Sequence, residues 1–114
     1  MQECLFCRIV AGEMDTELVH SSDNVVAFRD INPQAPVHLL IIPKEHIESA
    51  RSLTDQHANL AAEIFQTAAH LAKANEVDPA GWRLVTNVGA NAGQTVHHLH
   101  FHLLGGRRLG WPPG

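Results

Sequence analysis

Five short stretches of the chain are rich in apolar residues, and the last of them alternates histidine with apolar residues. Each stretch is bounded by Gly, Pro, Asn, Asp or Ser, the residues that favour turns. Short apolar-rich runs between such boundaries are typical of strands. The predicted strands are Leu18–His20, Val25–Asp30, His38–Ile42, Arg83–Asn87 and His98–Leu104.

One long stretch between the third and fourth strands has helical spacing instead. Its apolar residues recur every third or fourth position, which predicts one buried stripe. Ser52 or Thr54 is expected to cap the start, and Asn75 with the turn residues 78–81 to end it. Short links between the early strands favour an antiparallel sheet covered by this helix, so the predicted fold class is α+β. The predicted stripe consists of Leu60, Ala61, Ile64, Phe65, Ala68, Leu71 and Ala72.

The last predicted strand carries a histidine at every second position. Alternation would place His98, His100 and His102 on one face and the intervening apolar residues on the other. A register slip of one residue would move three imidazoles into the core, so the pattern also fixes the register. Two functions fit such a row: a metal site with His-x-His spacing, and nucleophilic catalysis by one imidazole.

The loop before this strand is rich in small residues and distinguishes the two functions. Backbone amides of residues 89–95 can approach a phosphate closely, and Gln94 and Thr95 add side-chain donors. Alone, such a stretch is typical of an ordinary turn. Beside a row of imidazoles it favours attack of a histidine nitrogen on phosphorus, followed by hydrolysis of the resulting phosphoramidate.

Composition and charge narrow the classes of partner. A length of 114 residues predicts a single domain over residues 1–114, and 45% apolar residues suffice for one core. The net charge of −4 argues against nucleic acid, which requires a concentrated basic surface. The sequence has no leader pattern and no apolar run of membrane-spanning length, so we expect a cytoplasmic protein without membrane contact.

The two cysteines form a Cys-x-x-Cys pair near the start of the chain. In a reducing compartment, Cys4 and Cys7 are more typical of metal binding or redox chemistry than of a structural disulfide. They supply only half of the four ligands of a structural zinc. A redox or metal-dependent hydrolase centred on this pair is therefore a third possible function.

The histidine row, written with its spacers, resembles the motif that names the histidine-triad superfamily. Nearly the whole chain takes part in the resemblance. The Leu-Gly-Gly-Arg continuation and the Trp-Pro-Pro-Gly ending resemble the Hint branch, the histidine-triad nucleotide-binding proteins. The matching segments are 28–36, 42–47, Asn87, 93–95, 98–107 and 111–114.

This resemblance implies both an assembly and an activity. The implied fold is a five-stranded antiparallel sheet with one long and one short helix, which pairs in a homodimer to give ten strands. Residues 107–114 would form a C-terminal tail that reaches the partner subunit. The implied activity is hydrolysis of purine nucleoside phosphoramidates, such as AMP-amines, or of aminoacyl-adenylates, through nucleotidyl-His100 and without an organic cofactor.

The resemblance also assigns site residues. Phe28 and Ile31 would hold the base, and Asp30 would bind the ribose hydroxyls, a role suited to a carboxylate that accepts two hydrogen bonds. Phe28 as core and Asp30 as a turn acceptor are the structural alternatives. The implied catalytic residues are His98, His100, His102, Gln94 and Thr95; those implied to bind the nucleotide are Phe28, Asp30, Ile31, Asn87, Gly93, Gln94, Thr95, His100 and His102.

A structural zinc site follows from the same resemblance, since some relatives bind zinc near the first histidine of the triad. Its ligands would be Cys4, Cys7, His46 and His98, which would fix the N-terminus to the sheet and orient the strand that carries His100. Two free cysteines are the alternative. A non-catalytic purine nucleotide sensor or interaction protein is the alternative to the enzyme, because binding residues alone would preserve most of the pattern.

Overall fold

The chain folds into a five-stranded sheet with a helix on each face. The computed structural model describes residues 4–114. The helices and strands are α1 Leu5–Val10, β1 Leu18–Ser21, β2 Val25–Arg29, β3 Val37–Pro43, α2 Ala58–Ala74, β4 Trp82–Val85 and β5 Phe101–Gly105; short 3-10 turns occupy Ala50–Ser52, Asp55–His57 and Ala90–Ala92.

All neighbouring strands are antiparallel, in the order β1-β2-β3-β5-β4. The predicted α+β class and five-stranded antiparallel sheet with one long and one short helix are therefore confirmed. The last strand in sequence lies inside the sheet, between β3 and β4. Because β5 lies between β3 and β4, the histidine row is beside β3, although the two strands are far apart in the sequence.

Helix α2 begins and ends close to the predicted residues. The Thr54 side chain caps the 3-10 turn that leads into the helix, and Asn75 is the C-cap. Ile64, Ala68 and Leu71 join the core as expected. Phe65 does not: it is 58% exposed, because the predicted apolar arc is wider than the surface that one helix presents to a sheet.

Strand β5 is shorter than predicted. Its ladder begins at Phe101 rather than His98, since Ile41↔Phe101 is the first pair with β3. Pro43, at the end of β3, has no N–H to donate, and the Leu99 amide donates to the Ile47 carbonyl (2.6 Å) instead. The alternation of faces nevertheless extends back through Leu99, which packs in the same core cluster as Phe101.

The two faces of the sheet pack against different helices. One cluster, with Ala27, Leu39 and Ile41, packs under α2, whereas alternate residues such as Phe28 and Leu40 pack with α1. The predicted histidine face is the α1 face. Among residues 4–114, no helix combines the length and apolar character needed to span a membrane.

Candidate active site

The three histidines of the row differ in exposure. His98 is fully buried, His100 is 7% exposed and His102 is half-buried at the edge of an open groove. The Phe6 ring of α1 packs edge-on against His100, with ring centroids 5.1 Å apart, and His102 lies 5.2 Å away. Helix α1 thus covers His100 through Phe6, while His102 lines the open groove.

A backbone carbonyl fixes the tautomer of His100. Its Nδ1 lies 2.7 Å from the His98 carbonyl oxygen, which only accepts, so Nδ1 carries the proton and donates. The lone pair of the neutral ring therefore resides on Nε2. A neutral imidazole nitrogen with a free lone pair is the form required for nucleophilic attack.

A chain of contacts extends from His102 through His38 to Asp30: the two rings share a hydrogen bond, and the carboxylate lies within ion-pair distance of His38. The backbone N–H of Gln34 donates to His38 Nδ1 (3.0 Å), which leaves the His38 proton on Nε2. Nε2 in turn donates to His102 Nδ1 (2.9 Å), so the proton of neutral His102 is on its own Nε2. Asp30 Oδ2 lies 3.4 Å from His38 Nε2. These contacts form a proton relay that ends in a carboxylate.

Burial keeps this relay neutral near pH 7. It lowers the pKa of His102 to about 4, and the neighbouring His100 and His38 add to the effect. Burial also lowers the pKa of His38, although Asp30 opposes that shift. A phosphoryl anion beside His102 would act in the opposite direction and favour the charged ring.

A second cluster gathers Cys4, Cys7, His46 and His98 at the start of the histidine row. His98 Nδ1 lies 3.4 Å from Cys4 Sγ and 3.6 Å from Cys7 Sγ, and His46 Nδ1 lies 3.2 Å from Cys7 Sγ. Ligands of a tetrahedral zinc with these donors stand about 3.5 Å apart. The spacing fits a zinc ion.

The protonation states of the cluster also suit a metal. His98 Nε2 donates to the Pro43 carbonyl (2.9 Å), which leaves the lone pair on Nδ1, the nitrogen that faces the sulfurs. Burial lowers the pKa of His98 and so keeps it neutral. Burial and Cys4 raise the pKa of Cys7 to about 11, and a divalent cation would reverse this by stabilising the thiolate.

The group formed by Asp30, His38 and His102 is equally close but unsuited to a metal. The lone pair of His38 points at the Gln34 amide, and its Nε2 proton occupies the space between the rings. Its 2.9 Å nitrogen–nitrogen distance is that of a hydrogen bond. This group fits proton transfer, whereas the cysteine cluster fits metal binding.

The predicted phosphate loop is held in shape by Gln94. Gly89 and Gly93 adopt positive φ (87° and 91°), which favours glycine. The Gln94 amide accepts from the Gly89 N–H and donates to the carbonyls of Glu48 and Val96. Its polar atoms therefore bind loop backbone, and Gln94 is buried beneath the exposed Thr95.

A groove of about 340 Å³ extends from His102 along β4 and β5. Asn87 lines it, as do His38, Arg83 and the tail residues Leu109, Gly110, Pro112 and Pro113. The tail is attached here by Arg83 Nη2, which donates to the Gly110 carbonyl (2.8 Å). The tail thus lies against the groove of its own chain, and its predicted reach to a partner subunit stays a prediction.

Comparisons with known proteins identify the family of the chain. The family model described as scavenger mRNA decapping enzyme C-term binding matches residues 3–108. The chain is 39% identical over 109 residues to the purine nucleoside phosphoramidase of Escherichia coli K12. The alignment covers 96% of this chain and 92% of that protein. A HIT family hydrolase from Legionella pneumophila superposes with a TM-score of 0.96 at 50% identity, covering 98% of this chain and 100% of that one.

The chain belongs to the histidine-triad superfamily. Its relatives confirm the predicted Hint-like branch, and their names identify the chain as a histidine-triad hydrolase. It is also 39% identical over 114 residues to the 14 kDa zinc-binding protein of Brassica juncea, covering 98% of this chain and 100% of that protein.

In this histidine-triad hydrolase, the residues predicted to bind base and ribose lie in different environments. Phe28 is buried beside Phe6, with ring centroids 5.6 Å apart, whereas Ile31 is fully exposed. Asp30 is half-buried and has two contacts: Oδ1 accepts from the Asn32 amide (2.8 Å), and Oδ2 faces His38. Asp30 is therefore a turn acceptor through Oδ1, which was the structural alternative, while its Oδ2 contacts His38 of the relay.

Two residues of the site were missed by reasoning from the sequence. The sequence pattern predicts only that His38 begins a strand, although a single histidine in an otherwise apolar run also indicates a possible functional residue. The Thr86 hydroxyl donates to the His100 carbonyl (2.7 Å) and helps hold the segment that carries His100. Nothing in the sequence around Thr86 distinguishes it from an ordinary strand-end threonine.

Proposed function

We propose that this histidine-triad hydrolase cleaves purine nucleoside phosphoramidates, such as AMP-amines, or aminoacyl-adenylates through a covalent nucleotidyl-His100. One observation carries the proposal. His100 donates from Nδ1 to the His98 carbonyl, so its Nε2 lone pair is free beside a neutral proton relay. The phosphoramidase activity of the Escherichia coli relative supports the same class of reaction.

In the first step, His100 Nε2 forms a bond to phosphorus and the phosphorus–nitrogen bond of the substrate breaks. The departing amine needs a proton. The bound phosphoryl anion raises the pKa of His102, so the ring enters the complex with an extra proton on Nδ1. The hydrogen bond between the two rings then breaks, and the His38 Nε2–H turns to Asp30 Oδ2, 3.4 Å away. His102 gives its Nε2 proton to the leaving nitrogen and keeps the Nδ1 proton.

In the second step, water attacks phosphorus and the bond to His100 breaks. The water proton returns to His102 Nε2, which restores the charged relay before AMP leaves. His100 keeps its Nδ1 proton on the His98 carbonyl throughout, so the carbonyl also stabilises the positive ring of the intermediate.

The nucleotide is proposed to lie across the end of β2 and the loop 89–95. Ile31 and Phe28 would contact the base, and Asp30 the ribose hydroxyls. The hydroxyl of Thr95 is suited to the phosphoryl oxygens, and Asn87 would support them from the groove. The Gly93 N–H already donates to the Ala90 carbonyl (3.0 Å), so Gly93 would contribute by lacking a side chain and letting the phosphate approach the loop closely. Gln94 contributes by holding this loop.

Zinc is proposed as a structural ion held by Cys4, Cys7, His46 and His98. The donor set and the free lone pair of His98 Nδ1 support it, as does the zinc-binding relative from Brassica juncea. Bound there, zinc would cross-link α1, the loop after β3 and the histidine row. The reaction itself uses no metal in this proposal.

The experiment is turnover of adenosine 5′-phosphoramidate with capture of the intermediate. Wild type should release AMP, and acid-quenched protein should carry one adenylyl group on the peptide containing His100. His100→Ala should lose both signals, while the exposed neighbour His97→Ala serves as the matched control and should retain them. Tight AMP binding by wild type without any turnover would contradict the proposal and support the nucleotide-sensor alternative.

A further inference from the structure

One wall of the groove beyond His102 is basic. Arg83 and Arg107 line it, and none of the lining residues is acidic. This contrasts with the chain as a whole, which has 12 Asp and Glu against 8 Lys and Arg. Arg83 and Arg107 are the charged residues that line the groove, whereas Asp30 contacts His38 without lining it. The basic lining is therefore a local feature and not a consequence of composition.

The sheet register places Arg83 close to the relay. Val85 pairs with His102 and Arg83 pairs with Leu104, so Arg83 lies one row further along the same face. Diagonal neighbours in an antiparallel sheet are about 7–8 Å apart, a gap that the long arginine side chain spans. A group attached to a phosphorus at His100 and His102 would therefore meet Arg83 within a few bonds.

Both guanidinium groups are anchored but not neutralised. Arg83 Nη2 donates to the Gly110 carbonyl (2.8 Å), while Arg107 donates to the carbonyls of Gln34 (3.0 Å) and Arg108 (2.8 Å). Neither takes part in an ion pair with a carboxylate among residues 4–114, unlike Arg8 and Arg29. Each guanidinium has five N–H donors, so both keep donors for an anion.

We propose that this basic wall selects substrates whose leaving amine carries its own anion, a carboxylate or a phosphate. The proposal rests on the proposed phosphoramidase function. Phe6 covers the His100 side of the row, so the open path for a leaving group passes His102 toward Arg83. The phosphorus–nitrogen bond breaks as in the proposed reaction, the relay supplies the proton, and the arginines bind the departing anion without exchanging protons.

Three adenosine phosphoramidates with the same two-carbon linker test this preference. Their amines are β-alanine, β-alaninamide and phosphoethanolamine, which end in a carboxylate, a neutral amide and a phosphate. We expect kcat/KM for at least one anionic compound to exceed that of the amide about 10-fold, the effect of one hydrogen bond to a charged group. A larger effect for the carboxylate indicates an amino-acid type of leaving group, and a larger effect for the phosphate indicates a phosphorylated one.

Variants then attribute the preference to the two arginines. Arg83→Gln and Arg107→Gln should each lower the anion-to-amide ratio several-fold, and Arg83→Lys should retain part of it. Arg8→Gln, which removes a guanidinium outside the groove, is the control and should leave the ratio unchanged. Because the ratio is measured within each variant, a general loss of activity or folding does not imitate the effect.

The anion preference and the phosphoramidase function are refuted by different outcomes. Equal kcat/KM for all three compounds in wild type, or a ratio unchanged in both Gln variants, would refute the anion preference and leave the phosphoramidase function intact. If none of the compounds is cleaved, the phosphoramidase function fails. Calorimetric binding of the same three compounds to wild type then decides the preference: weaker or equal binding of both anionic compounds refutes it.

Discussion

Single residues of the site owe their protonation states to backbone groups. Carbonyls of His98 and Pro43 and the amide of Gln34 each fix one tautomer, and together they assign every proton in the row. Such groups are reliable because a carbonyl only accepts and an amide N–H only donates. The row therefore contains three histidines in different environments, for which we propose the roles of zinc ligand, nucleophile and proton donor.

His38 is a positioning residue in this scheme, since it acts through His102. His38→Gln should lower kcat for adenosine phosphoramidate about 10- to 100-fold. This is less than the roughly 10²- to 10⁴-fold contribution of a residue that transfers the proton itself, because His38 acts only through His102. KM should change little, because His38 contacts His102 and Asp30. The readout is the pH dependence of kcat, which should shift with the variant and stay as in wild type for His97→Gln. An unchanged kcat and pH profile would remove His38 from the relay.

Acid should destabilise the fold through the buried histidines. The pKa of His102 is about 4 in the fold and about 6.5 in an unfolded chain, so between these values the unfolded chain binds more protons. Its contribution to stability is complete above pH 6.5 and is lost as the pH falls toward 4. The limit is about 1.4 kcal/mol per pH unit for one proton.

Urea unfolding at pH 7.5 and pH 5 measures this loss in wild type and in His102→Gln. The variant should lose less stability between the two pH values. Comparing the variants cancels the contribution of the zinc ligands, which are common to both. An identical loss in the two proteins would show that His102 titrates normally.

At the scale of elements, the segment 98–100 lies outside the sheet ladder and depends on other contacts. Within it, the Leu99 amide bonds to Ile47, and the side chain of His98 joins the cysteine cluster. Helix α1 has only 6 residues and is joined to the same cluster by both cysteines. Zinc should therefore fix α1 and the nucleophile segment together.

Removing zinc should loosen these two elements and spare the sheet. At free zinc about 100-fold above its Kd, binding adds about 2.7 kcal/mol to the free energy of unfolding. Cys7→Ser should lose most of that gain, and hydrogen exchange of α1 and Leu99 should accelerate while β2 and β3 stay protected. Arg8→Ser, in the same helix, should respond to zinc as wild type does. Exchange that is indifferent to chelation would contradict the zinc site.

Within residues 4–114 the sheet has two edges, at β1 and β4. Each has an exposed apolar side chain near it: Leu18 in β1 (39% exposed), and the larger and more exposed Phe65 (58%) near β4. Phe65 of α2 contacts Phe101 of β5, the neighbour of β4, with ring centroids 6.0 Å apart. An open strand edge beside an exposed aromatic ring favours pairing with a second copy. The homodimer with a ten-stranded sheet is proposed to form at this edge.

Light scattering tests the dimer. Wild type should have twice the mass of one chain, and Phe65→Glu should shift it toward the monomer. Leu18→Glu, an equivalent change at the β1 edge, should keep the dimer. A monomeric wild type would refute the assembly, and dissociation by the Leu18 variant alone would assign it to the other edge.

The sequence by itself determined the local structure and the chemistry available. Apolar runs between turn residues predicted five strands, and alternation predicted the two faces of the histidine row. Helical spacing predicted α2 with its end at Asn75. These patterns are readable because they depend on neighbours within one element. The resemblance assigned His100, and the cysteine pair with His46 and His98 indicated the metal cluster. Where a ladder or stripe ends was less predictable, as the start of β5 and the exposure of Phe65 illustrate.

Only the tertiary structure decided which distant groups meet. His38 and His102 are 64 positions apart, and they share a hydrogen bond because β5 inserts beside β3 in one particular register. Arg83 reaches the same groove because β4 pairs with the other side of β5. Alternation fixes which face of a strand is buried, but strand order and the choice of partner strand are set by the packing of the whole sheet. The relay and the basic wall therefore became visible only in the fold.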